Sequence, residues 1–149
     1  MSETITTCSL AISFAKELEN ESAKFYTALA DQSGQDKEVL LSFAKKNKEF
    51  VTQVERAYYG VISDAFEGCF AFNMNPEDYK LDTELAAQAD YAGALKKALA
   101  NEEAIVRFYQ VAAEQSKSLM ADVPRAFKLV ARKRDERQSV LKSLLEKQA

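Results

Sequence analysis

One helical pattern occurs twice in this chain, and the repeat limits what the chain can fold into. The first copy is Glu19-Asn20-Glu21-Ser22-Ala23-Lys24-Phe25-Tyr26. The second, 83 positions later, is Glu102-Glu103-Ala104-Ile105-Val106-Arg107-Phe108-Tyr109. Seven residues are close to two helical turns, so the first Glu and the Tyr of each copy share a face. Each copy is followed by a second helical pattern: Leu40-x-x-Phe43-Ala44-x-x-Asn47-x-x-Phe50, then Phe127-x-x-Val130-Ala131-x-x-Arg134-x-x-Arg137. Two helix pairs of one design predict an all-α four-helix bundle built around carboxylates facing inward.

The spacing of apolar residues predicts where the helices run. The first spans about residues 6–31, with Ala11, Phe14, Ala15, Leu18, Ser22, Phe25 and Leu29 on its inner face. Ser33-Gly34-Gln35-Asp36 reads as a tight turn. The second helix runs over about 37–66 through Leu40, Phe43, Ala44, Phe50, Val51, Val54, Tyr58 and Ile62. The third covers about 89–117, through Leu95, Ala98, Leu99, Ile105, Val106, Tyr109 and Ala113. The fourth starts near Asp122, read as its N-cap with Pro124 in the first turn, and carries Val123, Phe127, Val130, Ala131, Leu141, Leu144 and Leu145. Only four glycines and two prolines interrupt 149 residues, which favours long helices in a single domain over residues 1–149. Residues 67–88 lack a period and read as a long connection, with Phe66, Phe70, Phe72, Met74 and Tyr79 packing over the bundle. Short turns within each pair and a long crossover between the pairs give the ferritin-like topology.

On these residues the chain resembles the rubrerythrin-like branch of the ferritin-like superfamily. The two Glu-x6-Tyr helices and the partner segments ending in Ala44 and Ala131 carry the resemblance, which covers nearly the whole length. The resemblance implies a pair of iron or manganese ions inside the bundle. It assigns metal-ligand roles to Glu19 and Glu102, and to the positions held here by Asn47, Phe50, Arg134 and Arg137. A glutamate and a histidine are expected on each partner helix. Asn47 and Phe50 stand there on one, Arg134 and Arg137 on the other, and the chain contains no histidine. Glu49 and Glu136 lie two residues further on, about 200° around the helix, and face away.

A unit charge 4 Å from another interacts by about 4 kcal/mol at an effective dielectric near 20, so a divalent ion beside Arg134 would cost about twice that. The sequence therefore predicts that no metal or other cofactor is bound, and that Arg134 replaces the metals as counter-charge for Glu19 and Glu102. Asn47 is expected to bridge the remaining carboxylate oxygens, and Arg137 to snorkel outward. Tyr26 and Tyr109 are read as core residues whose hydroxyls find partners. The basic run Arg125, Lys128, Arg132, Lys133, Arg134 and Arg137 reads as a solvated face paired with Asp135 and Glu136, the alternative being a site for an anion.

The net charge of −3 points to neither nucleic acid nor a polyanionic tail, and no apolar run is long enough for a bilayer. Cys8 and Cys69 match no metal spacing and read as reduced thiols of a cytoplasmic protein. Without histidine no Ser/His/Asp constellation is possible, and there is no glycine-rich phosphate loop. The expected role is that of a non-catalytic scaffold or partner-binding protein, able to form a homodimer. The alternative is a di-iron or di-manganese oxidoreductase with an unusual ligand set, which would be a metal-dependent enzyme.

Overall fold

The computed structural model of the chain describes residues 4–61, 72–85, 90–117 and 122–148. Among the described residues four helices make up a bundle: α1 (Cys8–Ser33), α2 (Lys37–Val61), α3 (Tyr91–Gln115) and α4 (Asp122–Glu146). Among the described residues there is no strand, only an isolated antiparallel bridge between Ile5 and Met74.

Local chemistry sets the helix ends. Thr7 caps α1, its hydroxyl accepting the Leu10 amide at 3.2 Å, so the helix begins at Cys8 rather than at residue 6. Residues before the cap are drawn into main-chain bonds with the connection: the Ile5 amide to the Met74 carbonyl at 2.8 Å and the Phe72 amide to the Thr6 carbonyl at 3.1 Å. Gly34 ends α1 with φ +67°, a left-handed conformation that glycine adopts without penalty, and its amide bonds the Ala30 carbonyl at 3.1 Å. Asp90 caps α3 through the Gly93 amide at 3.3 Å, so α3 starts two residues later than its spacing alone suggested. Asp122 is already the first helical residue of α4. The expected extension of α2 to residue 66 lies outside the described residues, as do Phe66, Cys69 and Phe70.

α1 packs closely on α2 and α3 on α4, with α2 against α4 joining the two hairpins. Tyr26 meets Glu102 while Tyr109 meets Glu19, so α1 and α3 run in opposite directions. Phe43 meets Arg137 and Phe50 meets Arg134, which makes α2 and α4 antiparallel too.

Residues 72–85 form a strap that runs backwards along α3. The Asn73 main chain bonds the Gln115 amide group through both its N–H (2.8 Å) and its carbonyl (3.2 Å). Arg107 donates to the Asp78 carbonyl at 3.0 Å. Asn101 exchanges two bonds with the Asp82 main chain, at 3.0 and 2.9 Å, and Lys97 reaches the Glu84 carbonyl at 2.5 Å. A 3₁₀ turn at Pro76–Tyr79 drives the Tyr79 ring between Phe14 of α1 and Phe108 of α3, at 6.4 and 5.6 Å between centroids. Edge-on aromatic contacts of this kind add about 0.5–1.5 kcal/mol each beyond area burial. Phe72, Met74 and Tyr79 are buried, so this part of the connection does pack over the bundle.

Among the described residues the interior has two apolar clusters. One gathers Ile5, Leu18, Val54, the strap, the C-terminal half of α3 and the start of α4. The other gathers Phe25, Leu29, Leu40, Phe43, Leu95, Leu141 and Leu144 at the opposite end. Between them in chain order, on all four helices, lie the buried polar residues Glu19, Asn47, Glu102, Arg134 and Arg137.

Candidate functional site: a buried arginine–glutamate layer

Glu19, Glu102 and Arg134 are each 0% exposed. They are held inward by the apolar stripes around them: Ala15, Leu18 and Phe25 on α1, Ile105 and Val106 on α3, Val130, Ala131 and Leu141 on α4. Arg134 lies between the two acids. Its Nη2 donates to Glu19 Oε1, its Nε to Glu19 Oε2 at 3.0 Å, and its Nη1 to Glu102 Oε1 at 2.6 Å. One guanidinium thus grips Glu19 bidentately and Glu102 with its remaining edge, a geometry that a lysine ammonium cannot copy.

The two tyrosines complete the shell crosswise. Tyr109 on α3 donates to Glu19 Oε2 at 2.7 Å, and Tyr26 on α1 donates to Glu102 Oε2 at 2.5 Å. All four carboxylate oxygens therefore accept at least one hydrogen bond. Among the described residues no buried side-chain nitrogen or oxygen lacks a partner.

Arg137 departs from expectation. It is buried, not snorkelled to solvent. Its Nη1 donates to Asn47 Oδ1 at 2.8 Å and lies 3.6 Å from Glu102 Oε2, and its Nη2 donates to the Phe43 carbonyl at 3.2 Å. The guanidinium also sits 4.6 Å from the Phe43 ring centroid, 5.4 Å from Tyr26 and 5.4 Å from Phe50, so aromatic faces replace part of its lost hydration. Asn47 is corrected as well. It does not bridge the carboxylate oxygens, which are already taken; its Nδ2 donates to the main-chain carbonyl of Glu19 at 3.1 Å. Phe50 faces both guanidiniums, with Arg134 5.5 Å from its centroid.

The expected pairing of the basic run with Asp135 and Glu136 is not found among the described residues. Arg125 instead pairs with Asp122 at 3.6 Å, and both Arg134 and Arg137 leave the run for the interior. Spacing explains the division. Positions 130, 131, 134, 137 and 141 share the inward stripe, whereas 132, 133, 135 and 136 are exposed.

Electrostatics follow from burial and partners. Burial alone would lower the Arg134 pKa, but Glu102 and Glu19 outweigh it and the value is held well above the ordinary guanidinium range. Arg137 is lowered, chiefly by burial and then by the like charge of Arg134, against the pull of Glu102. Both tyrosine hydroxyls are pushed well above their usual range, first by burial and then by the carboxylate each one faces, Glu102 for Tyr26 and Glu19 for Tyr109. With both acids and both arginines ionised, the layer carries no net charge.

The residues present do not fit a di-metal centre. Guanidinium groups hold the carboxylate oxygens through which ions would be bound, and Asn47, Phe50, Arg134 and Arg137 offer neither carboxylate nor imidazole. Among the described residues no group of three or more His, Cys, Asp or Glu side chains is placed to hold one ion. Cys8 is buried at the start of α1, about three helical turns before Glu19. No protein-family model, curated protein or solved structure matches the chain.

Proposed function

We propose that this chain is a rubrerythrin-like member of the ferritin-like superfamily in which an arginine–glutamate network stands where a di-metal centre would lie, and that it works as a non-catalytic scaffold or partner-binding protein. The observation that carries the reading is Arg134 bonded to both Glu19 and Glu102 at the centre of the bundle. The opposite directions of α1 and α3, and the strap that follows α3 from Gln115 back to Lys97, support two hairpins joined by a crossover. On the same reading the chain acts in the cytoplasm with reduced thiols and engages itself or another protein, rather than nucleic acid or a bilayer. Among the described residues no helix is long and apolar enough to cross a membrane.

The test is metal content. Protein purified from cells, and protein incubated without oxygen with ferrous or manganous ion, is expected to retain far less than one ion per chain by elemental analysis. Stoichiometric iron or manganese, with an absorption band that depends on it, would overturn the proposal in favour of a metal-dependent oxidoreductase. Light scattering across a concentration series tests self-association.

A further inference from the structure

A groove of about 710 Å³ lies on the outside of the bundle between α2 and α4. Lys48, Glu49, Thr52, Gln53 and Arg56 line it from α2, and Lys133 from α4. Lys48, Thr52 and Arg56 recur every four residues, so they form one stripe along the helix. The lining carries three cations and one carboxylate.

Among the described residues a few surface cations are paired with a carboxylate and most, the three in this groove included, are not. Lys16 is paired with Glu55 at 3.5 Å, Lys97 with Asp82 at 3.3 Å, Lys117 with Glu114 at 2.6 Å and Arg125 with Asp122 at 3.6 Å. Among the described residues no carboxylate lies within ion-pairing distance of Lys48, Arg56 or Lys133, and Glu49 shares their groove without pairing to any of them. Three cations against one carboxylate give this part of the surface a positive potential. An anion is drawn to that potential. A guanidinium fork is matched to two oxygens of one phosphate, and two flanking ammonium groups serve as point charges for a neighbouring one. The Gln53 amide can donate without adding charge.

We propose that this groove is a binding site for a small ligand carrying a di- or triphosphate group. Arg56 takes two oxygens of one phosphate, and Lys48 and Lys133 neutralise the next. Glu49 opposes the ligand and keeps the affinity moderate. The site is independent of the buried layer: none of its residues bonds to Glu19, Glu102, Arg134 or Arg137.

The experiment is a titration of the full chain with pyrophosphate and tripolyphosphate at low ionic strength, followed by amide chemical shifts. Saturable shifts clustered at Lys48, Thr52, Gln53, Arg56 and Lys133 are expected, weakening as salt is added. The Arg56→Gln/Lys133→Gln variant should bind about tenfold more weakly, and Glu49→Gln up to about fivefold more tightly. Neither should change the melting temperature appreciably, since all three side chains are exposed. Shifts scattered over every lysine-bearing surface, or an affinity untouched by the double variant, would overturn the proposal. Citrate binding as tightly as pyrophosphate would overturn the phosphate assignment. Saturation by a glutamate-rich peptide but not by pyrophosphate would do the same in favour of a protein partner.

Discussion

The two hairpins follow one plan yet divide the charges of the buried layer unequally. The first contributes Glu19, with the neutral Asn47 and Phe50 on its partner helix. The second contributes Glu102 and both cations, Arg134 and Arg137. The first is thus −1 at this level and the second +1 (one acid against two arginines). Neutrality is reached only when the hairpins dock. Arg134 is the hinge of that balance, since one guanidinium serves the acid of its own hairpin and the acid of the other. Buried ion pairs are weak sources of net stability, because desolvation offsets much of the attraction. An out-of-register docking would leave a charge buried without its counter-charge, so the unequal division disfavours it.

Removing Arg134 should break the comparison outright. Arg134→Leu leaves two buried carboxylates facing each other and should cost about 3–5 kcal/mol. For a chain of this size that lowers the melting temperature by on the order of 10 °C. A melt indistinguishable from the parent's would refute the role given to Arg134. The companion variant Glu19→Gln/Arg134→Met removes one acid together with one cation and leaves Glu102 beside Arg137, so the layer stays balanced and should recover part of the loss, because the penalty lies in the unpaired charge.

Arg137→Met should cost less, about 2–3 kcal/mol. It strands the Asn47 and Phe43 acceptors and removes the stacking on Phe43, but Glu102 keeps Arg134 and Tyr26. Equal costs for Arg134→Leu and Arg137→Met in urea melts would mean that the two cations are interchangeable.

The layer should also respond to alkali. Tyr26 and Tyr109 have pKa values raised by burial and then by their carboxylates. A raised value means that the folded state keeps a proton the unfolded chain gives up above pH about 10. Unfolding then releases protons, so the stability these hydroxyls supply is whole below that pH and lost as pH climbs toward the folded-state values. The slope is at most about 1.4 kcal/mol per pH unit for each tyrosine. Phenolate absorbance should therefore appear together with unfolding for these two residues. A Tyr26→Phe/Tyr109→Phe variant should show a shallower loss of stability above pH about 10.

Much of this layer was legible from spacing. Glu19 and Glu102 stand on apolar stripes at three-and-four intervals, and Arg134 follows Ala131 by three, so its inward direction needed no tertiary information. Arg137 lies three further on the same stripe. Spacing alone does not give its direction, because a long cationic side chain can bend to solvent; across the bundle, the ring of Phe43 and the amide of Asn47 draw it inward. The role of Asn47 is not legible from spacing either, since the carboxylate oxygens it could bridge are filled by tyrosines and Arg134 from other helices. The strap was the least legible element. Its register rests on polar pairs such as Asn101 with Asp82 and Gln115 with Asn73, and pairs that distant leave no local period to read. The Ile5–Met74 bridge was hidden for the same reason.

The smallest effect is the most discriminating test of the asymmetry. The two tyrosines occupy equivalent places in the repeat, but the oxygens they serve do not have equivalent second partners. Glu19 Oε2 accepts from Tyr109 at 2.7 Å and from Arg134 Nε at 3.0 Å, so losing the hydroxyl leaves a charged donor in place. Glu102 Oε2 accepts from Tyr26 at 2.5 Å, and its next donor, on Arg137, is 3.6 Å away. A hydrogen bond to a charged group is worth about 1.5–3 kcal/mol, and more of that should be lost where no close donor remains. Tyr26→Phe should therefore exceed Tyr109→Phe by about 1 kcal/mol, a difference of about 2–4 °C in melting temperature. Matched urea and thermal melts of the two variants measure it. Equal costs would mean that Arg137 closes on Glu102 once the hydroxyl is gone, and that the second hairpin's extra cation is a reserve counter-charge, not a fixed part of the layer.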